Sequence, residues 1–332
     1  MMRVVSSPGF WNQLAPTPLV AVQPGERFSP VWCKLEFLNP SGSTKDRIAR
    51  HILEKAWRRG EIAAGSVVVE ASSGSTSIAL AMACSQMGLR FHAFLPQTAT
   101  NERLMMIKAL GGEVFRIDAP MADIMARAAS HAEACGAFQV RQFENEDNAE
   151  AHRVHTASEM LRQVPGGRVD AVVSGIGTGG TLVGLHGGLE QGGCQVIPVA
   201  AIPTGTLYQG SCECCSFSGK VPGVMECSSE IFRRWRRTSA AARLREIQIP
   251  EQQCIDWTRQ LWKLGFPVGP SSGLNLAAAA AVAQDLGPDA LVATVFPDRM
   301  ERYFSHPVFV DSTAAGAAGE NQPAAPTAAN GR

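Results

Sequence analysis

Lys45 is the residue whose type and position could do chemistry on its own. It follows a turn of small residues (40–44) and precedes a run, residues 48–57, that predicts a helix. Ser43 or Thr44 can cap that helix, so Lys45 falls in its first turn. The positive end of the helix dipole lowers the pKa of an ammonium group there. The neutral amine is the form that makes a Schiff base, whereas a lysine without a function would be a solvated surface residue.

A loop of small residues between a predicted strand and a predicted helix could bind an anion. Residues 71–77, called here the hydroxyl loop, follow the strand 66–70 and carry five serine or threonine hydroxyls. One hydroxyl is enough to cap a helix, so five indicate a site for a carboxylate or another small anion.

A second loop of this kind, residues 175–181, is called here the glycine loop and contains four glycines, Thr178 and Thr181. Glycines let the backbone approach an anion closely. The loop lacks the Gly-Lys-Ser/Thr of a nucleoside triphosphate site, and its Gly-x-Gly-x-x-Gly pattern has no following acid to bind a ribose. A single phosphomonoester is therefore the expected ligand.

A third loop, residues 269–273, precedes a predicted helix (274–286) and matches Gly-x-Ser-x-Gly, the nucleophile elbow of hydrolases. Asp298 and His306 follow Ser271 in the order of a catalytic triad. Pro270 is unfavourable beside a strained nucleophile, and little chain follows to complete a hydrolase sheet. A serine hydrolase using Ser271, a plain helix cap and a cofactor-less protein that binds small anions stay open at this point.

Strands and helices alternate along the chain, which predicts parallel sheets with helices on both faces. Two such runs occur, so the expected fold is α/β, with two open parallel-sheet αβα domains and a cleft between them. The 332 residues are 45% hydrophobic and carry 30 basic and 30 acidic side chains, so no bulk charge favours nucleic acid or a membrane surface as a partner. From Ser312 the composition predicts a disordered tail, residues 312–332.

The nine cysteines are an odd number, and most stand singly in apolar stretches. With no secretory segment in residues 1–11, this usage favours a reducing, cytoplasmic location over a disulfide framework. Cys212, Cys214, Cys215 and Cys227 could supply four thiolates, but their spacing is too tight for the usual zinc pairs. Free thiols without a metal are therefore expected.

Taken in order, these motifs resemble the cysteine synthase and cystathionine β-synthase family of pyridoxal-phosphate enzymes, the second fold type, also called tryptophan-synthase β-like. The resemblance runs from Thr17 to about Phe304. Serine and threonine dehydratases fit less well, because they differ in the lysine motif and have a plainer glycine loop. The specific parts are residues 34–36, 39–47, 70–76, 142–145, 175–181, 269–273 and 295–303.

The resemblance implies a role for each candidate residue. Lys45 would hold pyridoxal 5′-phosphate as a Schiff base and, once freed by the amino-acid substrate, would remove and return its Cα proton. Ser271 would face the pyridine nitrogen, and Ser75 would lie beside the cofactor ring. The phosphate would be held by Gly177, Thr178, Gly179, Gly180 and Thr181, and the substrate carboxylate by Ser72, Ser73, Thr76 and Gln142.

The implied reaction is β-replacement on a serine derivative such as O-acetyl-L-serine, through an aminoacrylate, with sulfide as the nucleophile. A serine beside the pyridine nitrogen leaves it largely unprotonated, which favours elimination and addition over transamination. A cysteine desulfhydrase, a cystathionine synthase and a diaminopropionate synthase stay open. The family also implies a homodimer, a smaller mobile domain over residues 40–150, and a larger cofactor-binding domain made of residues 1–39 and 151–311.

Some features depart from the family pattern. The hydroxyl loop has Ser75 where asparagine is usual and Ser77 where glycine is usual, which resembles a cysteine desulfhydrase-like branch. Residues 210–237 hold clustered cysteines and arginines in place of a glycine-rich segment. The arginines (233, 234, 236 and 237) are expected to form a solvated helix face; alternatively, they draw an anionic substrate such as O-phosphoserine to the cleft. His152 and His155 are expected to be surface or packing residues.

Overall fold

The computed structural model describes residues 14–26, 29–204, 221, 224, 229–306 and 308–309, in which strands and helices alternate as predicted. The cysteine-rich stretch 212–227, apart from residues 221 and 224, and the tail 312–332 lie outside this set. The strands are Leu19–Val22 (β1), Val31–Lys34 (β2), Val67–Ala71 (β3), Arg90–Pro96 (β4), Glu113–Ile117 (β5), Phe138–Gln139 (β6), Ala171–Gly175 (β7), Ile197–Thr204 (β8), Arg245–Pro250 (β9) and Val292–Val295 (β10).

The two helices predicted with bounds, 48–57 and 274–286, agree with the structure to within four residues at each end. A π-helical segment, His152–Thr156, joins α5 to α6, and short 3-10 turns cover Glu36–Leu38, Pro165–Gly167, Ser239–Arg243 and Met300–Tyr303. The α-helices are Lys45–Arg58 (α1), Ser75–Met87 (α2), Asn101–Ala109 (α3), Met121–Cys135 (α4), Asp147–Ala151 (α5), Ala157–Gln163 (α6), Gly180–Gln191 (α7), Glu230–Arg236 (α8), Glu251–Lys263 (α9) and Pro270–Leu286 (α10).

Two sheets organise the chain, which confirms the predicted α/β class with two parallel sheets. The larger sheet has the order β1-β2-β10-β7-β8-β9, and the smaller sheet has the order β5-β4-β3-β6. Every pairing is parallel except that of β1 with β2. Parallel strands carry their ligand loops at one edge, so the glycine loop after β7 and the hydroxyl loop after β3 are each at the carboxyl end of a strand.

The central strands are buried on both faces, as parallel strands covered by helices must be. All five residues of β3 and all four of β10 are buried. Helix α10 is buried from Pro270 to Ala280, so this alanine-rich helix belongs to the core. Its alanines let the helix lie close to the larger sheet. No helix among the described residues is both long and apolar enough to cross a bilayer.

A buried ion network anchors the start of α1 to the larger sheet. Arg47 binds Glu36 at 2.7 Å and Glu159 at 2.5 Å, and Lys34 binds Glu159 at 2.8 Å. Burial acts to raise the pKa of Glu36, but Arg47 outweighs it and lowers that pKa to about 2. Because every charge in the network has a partner, the network fixes the first turn of α1, where Lys45 lies.

The lysine turn also pairs with the chain after β10. The Thr44 N–H donates to the carbonyl of Pro297 at 2.8 Å, and Ser43 forms an antiparallel bridge with Asp298. This pairing brings a residue of the lysine turn next to a carboxylate that is 255 positions later in the sequence (298 minus 43). The division into domains at residues 40 and 150 stays a prediction.

Candidate active site

One cavity collects most of the predicted site residues. Its walls come from the first turn of α1, the hydroxyl loop, the glycine loop, the first turns of α10 and the segment after β10. Ser72 and Gly180 do not line it, although residues next to both of them do. The predicted residues that line it are Lys45, Ser73, Ser75, Thr76, Gln142, Gly177, Thr178, Gly179, Thr181 and Ser271.

Lys45 is the first residue of α1, as the turn before it predicted. The Ser43 hydroxyl accepts its backbone N–H at 3.2 Å, while its side-chain amine has no hydrogen-bond partner among the described residues. Burial lowers the pKa of the Lys45 amine, and the carboxylate of Asp298 partly opposes this shift. The pKa of Lys45 is thus lowered, as predicted, and burial is the main cause. The amine is therefore available as a nucleophile or a base.

The glycine loop has no room for side chains at two positions. Gly179 has φ +78°, a left-handed conformation that favours glycine, and a Cβ there would lie 2.6 Å from Cβ of Phe232. A Cβ on Gly180 would lie 2.0 Å from Oδ1 of Asn148. The loop therefore lies tight against its neighbours, with its N–H groups at the start of α7, where a helix leaves donors for an anion.

Neutral partners fix the glycine loop. Asn148 donates from Nδ2 to the Thr178 hydroxyl at 2.9 Å, and that hydroxyl also accepts the Gly180 N–H at 3.3 Å. His152 is buried against the Thr181 hydroxyl, with 3.2 Å between Nε2 and Oγ1. Burial lowers the pKa of His152 to about 3, so the ring is neutral at physiological pH. His152 is thus a packing residue, one of the two roles predicted for it.

The hydroxyl loop is also held by internal hydrogen bonds. The hydroxyls of Ser72 and Ser77 lie 2.6 Å apart, and Ser72 accepts the N–H of Gly74 at 3.1 Å. Thr76 donates to Oε1 of Gln142 at 2.6 Å, and Gln142 donates from Nε2 to the carbonyl of Ala71 at 2.9 Å. The Ser72 side chain therefore shapes the loop from behind, and Thr76 and Gln142 face the cavity as a bonded pair.

Glu70 supports this loop from the end of β3. It is buried, and its two oxygens accept the backbone N–H groups of Ala71 at 2.7 Å and Gln142 at 3.0 Å. Burial raises its pKa to about 8, against the opposing effect of these hydrogen bonds. The carboxyl group therefore holds two chain segments together at the edge of the cavity.

Ser75, the departure from the family pattern, is tied to the segment after β10. Its hydroxyl donates to Oδ2 of Asp298 at 3.2 Å and accepts from Nη1 of Arg302 at 3.1 Å. The same Asp298 oxygen accepts the Tyr303 hydroxyl at 2.6 Å, while its Oδ1 is buried without a partner. Arg302 also donates to the carbonyl of Ser41 at 2.6 Å. Ser75 thus joins α2 to the lysine turn through Asp298 and Arg302.

Arg103, on α3, is a cavity-lining residue that the motifs did not identify. It is 3% exposed, its guanidinium lies 4.6 Å from the centroid of the Tyr303 ring, and Nη1 donates to the carbonyl of Ser73 at 3.3 Å. Asp298 is the only carboxylate among the described residues that line the cavity. The cavity therefore carries the Arg103 guanidinium and the Lys45 amine against one carboxylate.

Ser271 lies in the first turn of α10 rather than in a loop before the helix, because Pro270 suits the first helical position. No strand leads directly into this turn, so the described chain does not form the strand–turn–helix elbow of a hydrolase here. One turn along, Asn275 accepts the N–H of Gly175 at 2.7 Å and donates to the carbonyl of Val295 at 2.9 Å. Asn275 thereby fixes Ser271 relative to the start of the glycine loop.

The residues that the motifs did not identify as part of the site differ in how far the sequence indicated them. Asp298, Arg302 and Tyr303 lie in the segment 295–303 that resembles the family, so that segment was expected to matter but not these contacts. Arg103 and Asn148 carried no signal, because each acts through a partner 30 positions away along the chain, Ser73 and Thr178 respectively. The arginines of α8 are exposed, as the predicted solvated face requires, and do not line the cavity.

Comparison with known proteins agrees with this fold. The family model described as "Pyridoxal-phosphate dependent enzyme" matches residues 11–298. A cysteine synthase of Staphylococcus aureus (strain N315) is 33% identical over 306 residues, which are 88% of this chain and 94% of that protein. The chain belongs to the pyridoxal-phosphate-dependent enzymes, and within them it is cysteine synthase-like. The resemblance noted in the sequence is therefore confirmed.

Solved structures extend the comparison. The O-acetylserine-dependent cystathionine β-synthase from Helicobacter pylori has a TM-score of 0.80 at 26% identity, covering 93% of this chain and 100% of that one. O-ureido-L-serine synthase has a TM-score of 0.78 at 30% identity, covering 93% and 98% of the two chains.

The described residues fit pyridoxal phosphate. A half-buried lysine with a lowered pKa and an unpaired amine suits the aldehyde, and a loop that has no room for Cβ atoms at Gly179 and Gly180 suits the phosphate. The cavity also offers the Ser271 hydroxyl on its α10 wall.

Proposed function

We propose that this enzyme catalyses β-replacement on a serine derivative such as O-acetyl-L-serine, with sulfide as the nucleophile. One observation carries the proposal: a single cavity joins Lys45, the glycine loop, Ser271 and the hydroxyl loop. The first three suit a cofactor, and the fourth suits a carboxylate beside it. The relatives named as cysteine synthases and the cystathionine β-synthase that depends on O-acetylserine support this choice of reaction.

The residues take the following roles. The N–H groups and hydroxyls of the glycine loop would bind the cofactor phosphate, and Lys45 would be the attachment point. The cofactor supplies the electron sink that labilises the bonds around the substrate Cα. Ser271 would offer the pyridine nitrogen a neutral hydroxyl and no counter-charge, which suits elimination and addition better than transamination.

Lys45 then moves the proton. The free Lys45 amine would take the substrate Cα proton and later return it. The lowered pKa increases the share of the neutral amine, which is the form needed for both roles. Thr76, Ser73 and Gln142 orient the substrate by its carboxylate, so that the Cα proton faces Lys45.

Steady-state assays of O-acetyl-L-serine with sulfide test the reaction. We expect cysteine to form in the purified enzyme and Lys45→Ala to lose turnover by several orders of magnitude, with the fold unchanged by circular dichroism. Formation of cysteine at the wild-type rate by Lys45→Ala would contradict the proposed role. Ser75 favours one alternative, elimination from cysteine, because its loop resembles that of desulfhydrases. A kcat/KM for the release of sulfide from cysteine that exceeds the kcat/KM for O-acetyl-L-serine would select that reaction.

We infer a homodimer, as the resemblance to the family implies, in the cytoplasmic location that the cysteine usage favours, with a smaller domain over residues 40–150 that moves against the rest when substrate binds. The smaller sheet lies wholly inside these residues, which supports the division. Sedimentation equilibrium would test the dimer, since a mass of 35.4 kDa would instead show a monomer.

A further inference from the structure

We infer that Arg103 is a specificity-determining residue of the substrate site: it supplies the positive charge that selects a ligand with a carboxylate at the hydroxyl loop. This inference rests on the proposed function. Three properties of the described structure carry it, namely the place of Arg103 against the loop, its lack of an anionic partner and the charges around it.

Arg103 lies directly against the hydroxyl loop. A Cβ on Gly74 would be 2.4 Å from Cδ of Arg103, so only a glycine lets the loop rest on the arginine stem. Gly74 also has φ +135°, a conformation that side chains disfavour. Nη1 donates to the carbonyl of Ser73 at 3.3 Å, at the long end of the hydrogen-bond range. The guanidinium therefore sits next to the backbone at the N-terminus of α2.

Arg103 forms no salt bridge with any described residue. No carboxylate oxygen of the described residues lies within 4.0 Å of its guanidinium, and its Nε is buried without a hydrogen-bond partner. A buried cation is costly unless an anion compensates it, and the Tyr303 ring, at 4.6 Å, compensates only in part. Since Arg103 lines the cavity, a ligand carboxylate can supply the missing charge.

The surrounding charges favour the same conclusion. Arg302, fully buried behind Ser75, is a second guanidinium without a carboxylate within 4.0 Å among the described residues. Asp298, the one carboxylate lining the described part of the cavity, binds Ser75 and Tyr303. Glu102, the neighbour of Arg103, binds the hydroxyl of Ser305 at 2.7 Å and is partly exposed. The loop therefore has an excess of positive charge on its inner side.

The N-terminus of α2 and the hydroxyls would bind a carboxylate through dipoles alone. A carboxamide can also form hydrogen bonds with these groups, but it is neutral and cannot compensate the charge of a buried guanidinium. The presence of Arg103 therefore predicts that the site binds the acid more tightly than the amide, a preference that the loop by itself would not produce. That preference separates an electrostatic role from a structural one, because a merely damaged loop would bind both ligands less well.

Equilibrium titrations of the holoenzyme measure this preference. The change in visible absorption gives the dissociation constants of L-alanine and L-alaninamide, unreactive ligands that differ only at the carboxyl group. We expect the wild type to prefer L-alanine, and Arg103→Gln to reduce the ratio of the two constants by about tenfold, the effect of losing one charged hydrogen bond. Arg103→Lys keeps the charge and should retain most of the preference.

Lys108→Gln is the matched control, because it removes a positive charge from an exposed position of the same helix. We expect it to leave both constants unchanged. An unchanged ratio in Arg103→Gln, or the same loss in Arg103→Lys as in Arg103→Gln, would overturn the inference. A wild-type spectrum that does not respond to L-alanine would instead count against the proposed function, so the two failures are distinguishable.

Discussion

The glycine loop and the hydroxyl loop both follow a parallel strand and open a helix at the same cavity, yet they are built differently. The glycine loop is fixed by neutral groups, Asn148 and a His152 ring whose pKa is lowered to about 3. The hydroxyl loop lies against two buried guanidiniums, Arg103 and Arg302. A site for a permanently held phosphate can be made of backbone shape, whereas a site that selects a passing substrate gains from charge.

The largest expected effect comes from breaking the shape of the glycine loop. Gly180→Ala places a Cβ 2.0 Å from Oδ1 of Asn148, and the loop must move to relieve the overlap. Overpacking of about 1–3 kcal/mol at the phosphate site predicts a loss of cofactor affinity of roughly tenfold or more. Titration of the apoenzyme with pyridoxal phosphate measures this affinity.

Gly187→Ala is the control for that variant. Gly187 lies in the same helix, and the nearest atom to its new Cβ would be Cδ of Arg153 at 3.7 Å, an ordinary contact. Alanine is favoured over glycine in a helix interior, by roughly 0.5–1 kcal/mol, so stability should rise and cofactor affinity should not change. Equal affinities in Gly180→Ala and Gly187→Ala would show that backbone shape does not define this site.

A second prediction concerns the charge of Asp298 and its effect on Lys45. Asp298→Asn removes the carboxylate that opposes the effect of burial on Lys45, so the pKa of the Lys45 amine should fall further below its ordinary value. NMR titration of reductively ¹³C-methylated apoenzyme measures it, with the Lys45 signal assigned by its absence in Lys45→Arg.

Tyr303→Phe is the control here, because it removes a hydrogen bond to Asp298 but keeps the carboxylate. The pKa of Lys45 should stay closer to the wild-type value in Tyr303→Phe than in Asp298→Asn. A Lys45 pKa in Asp298→Asn that is equal to or above that of the wild type would refute the assigned charge.

A third prediction concerns Glu70, which makes the stability of the protein depend on pH. Its folded-state pKa of about 8 lies above its usual 4.5, so the folded protein keeps a proton that the unfolded chain releases. The resulting stabilisation is complete below pH 4.5 and is lost as the pH rises through 8, by on the order of a few kcal/mol. Urea unfolding at several pH values should show this fall in the wild type and a shallower one in Glu70→Gln. Parallel curves would contradict it.

The smallest expected effect is at Arg234. It lies on exposed α8, where it is paired with Glu146 at 3.2 Å and Glu230 at 3.4 Å, and it does not line the cavity. Surface ion pairs of this kind contribute little, about 0–1 kcal/mol. We expect Arg234→Glu to change KM for O-acetyl-L-serine less than twofold at physiological salt. A salt-sensitive rise in KM for O-phosphoserine would instead restore the alternative that these arginines attract an anionic substrate.

The two loops also differ in how far the sequence revealed them. The glycine loop could be predicted because its backbone shape is encoded by glycines next to one another, between a strand and a helix. The charges behind the hydroxyl loop could not be predicted, because Arg302 reaches Ser75 across 227 positions and Arg103 reaches Ser73 across 30. Periodicity predicted the two sheets, but it placed Ser271 in a loop, since a proline at the first helical position looks like a turn in the sequence.

Locating the cofactor on the chain tests the central claim most directly. The holoenzyme should absorb visible light, and borohydride should bleach it while fixing the cofactor covalently. Peptide mapping by mass spectrometry should then place the reduced pyridoxyl group on Lys45, and Lys45→Ala should carry none. A label on another lysine such as Lys34 or Lys55, or a protein that pyridoxal phosphate cannot reconstitute, would contradict the account of this site.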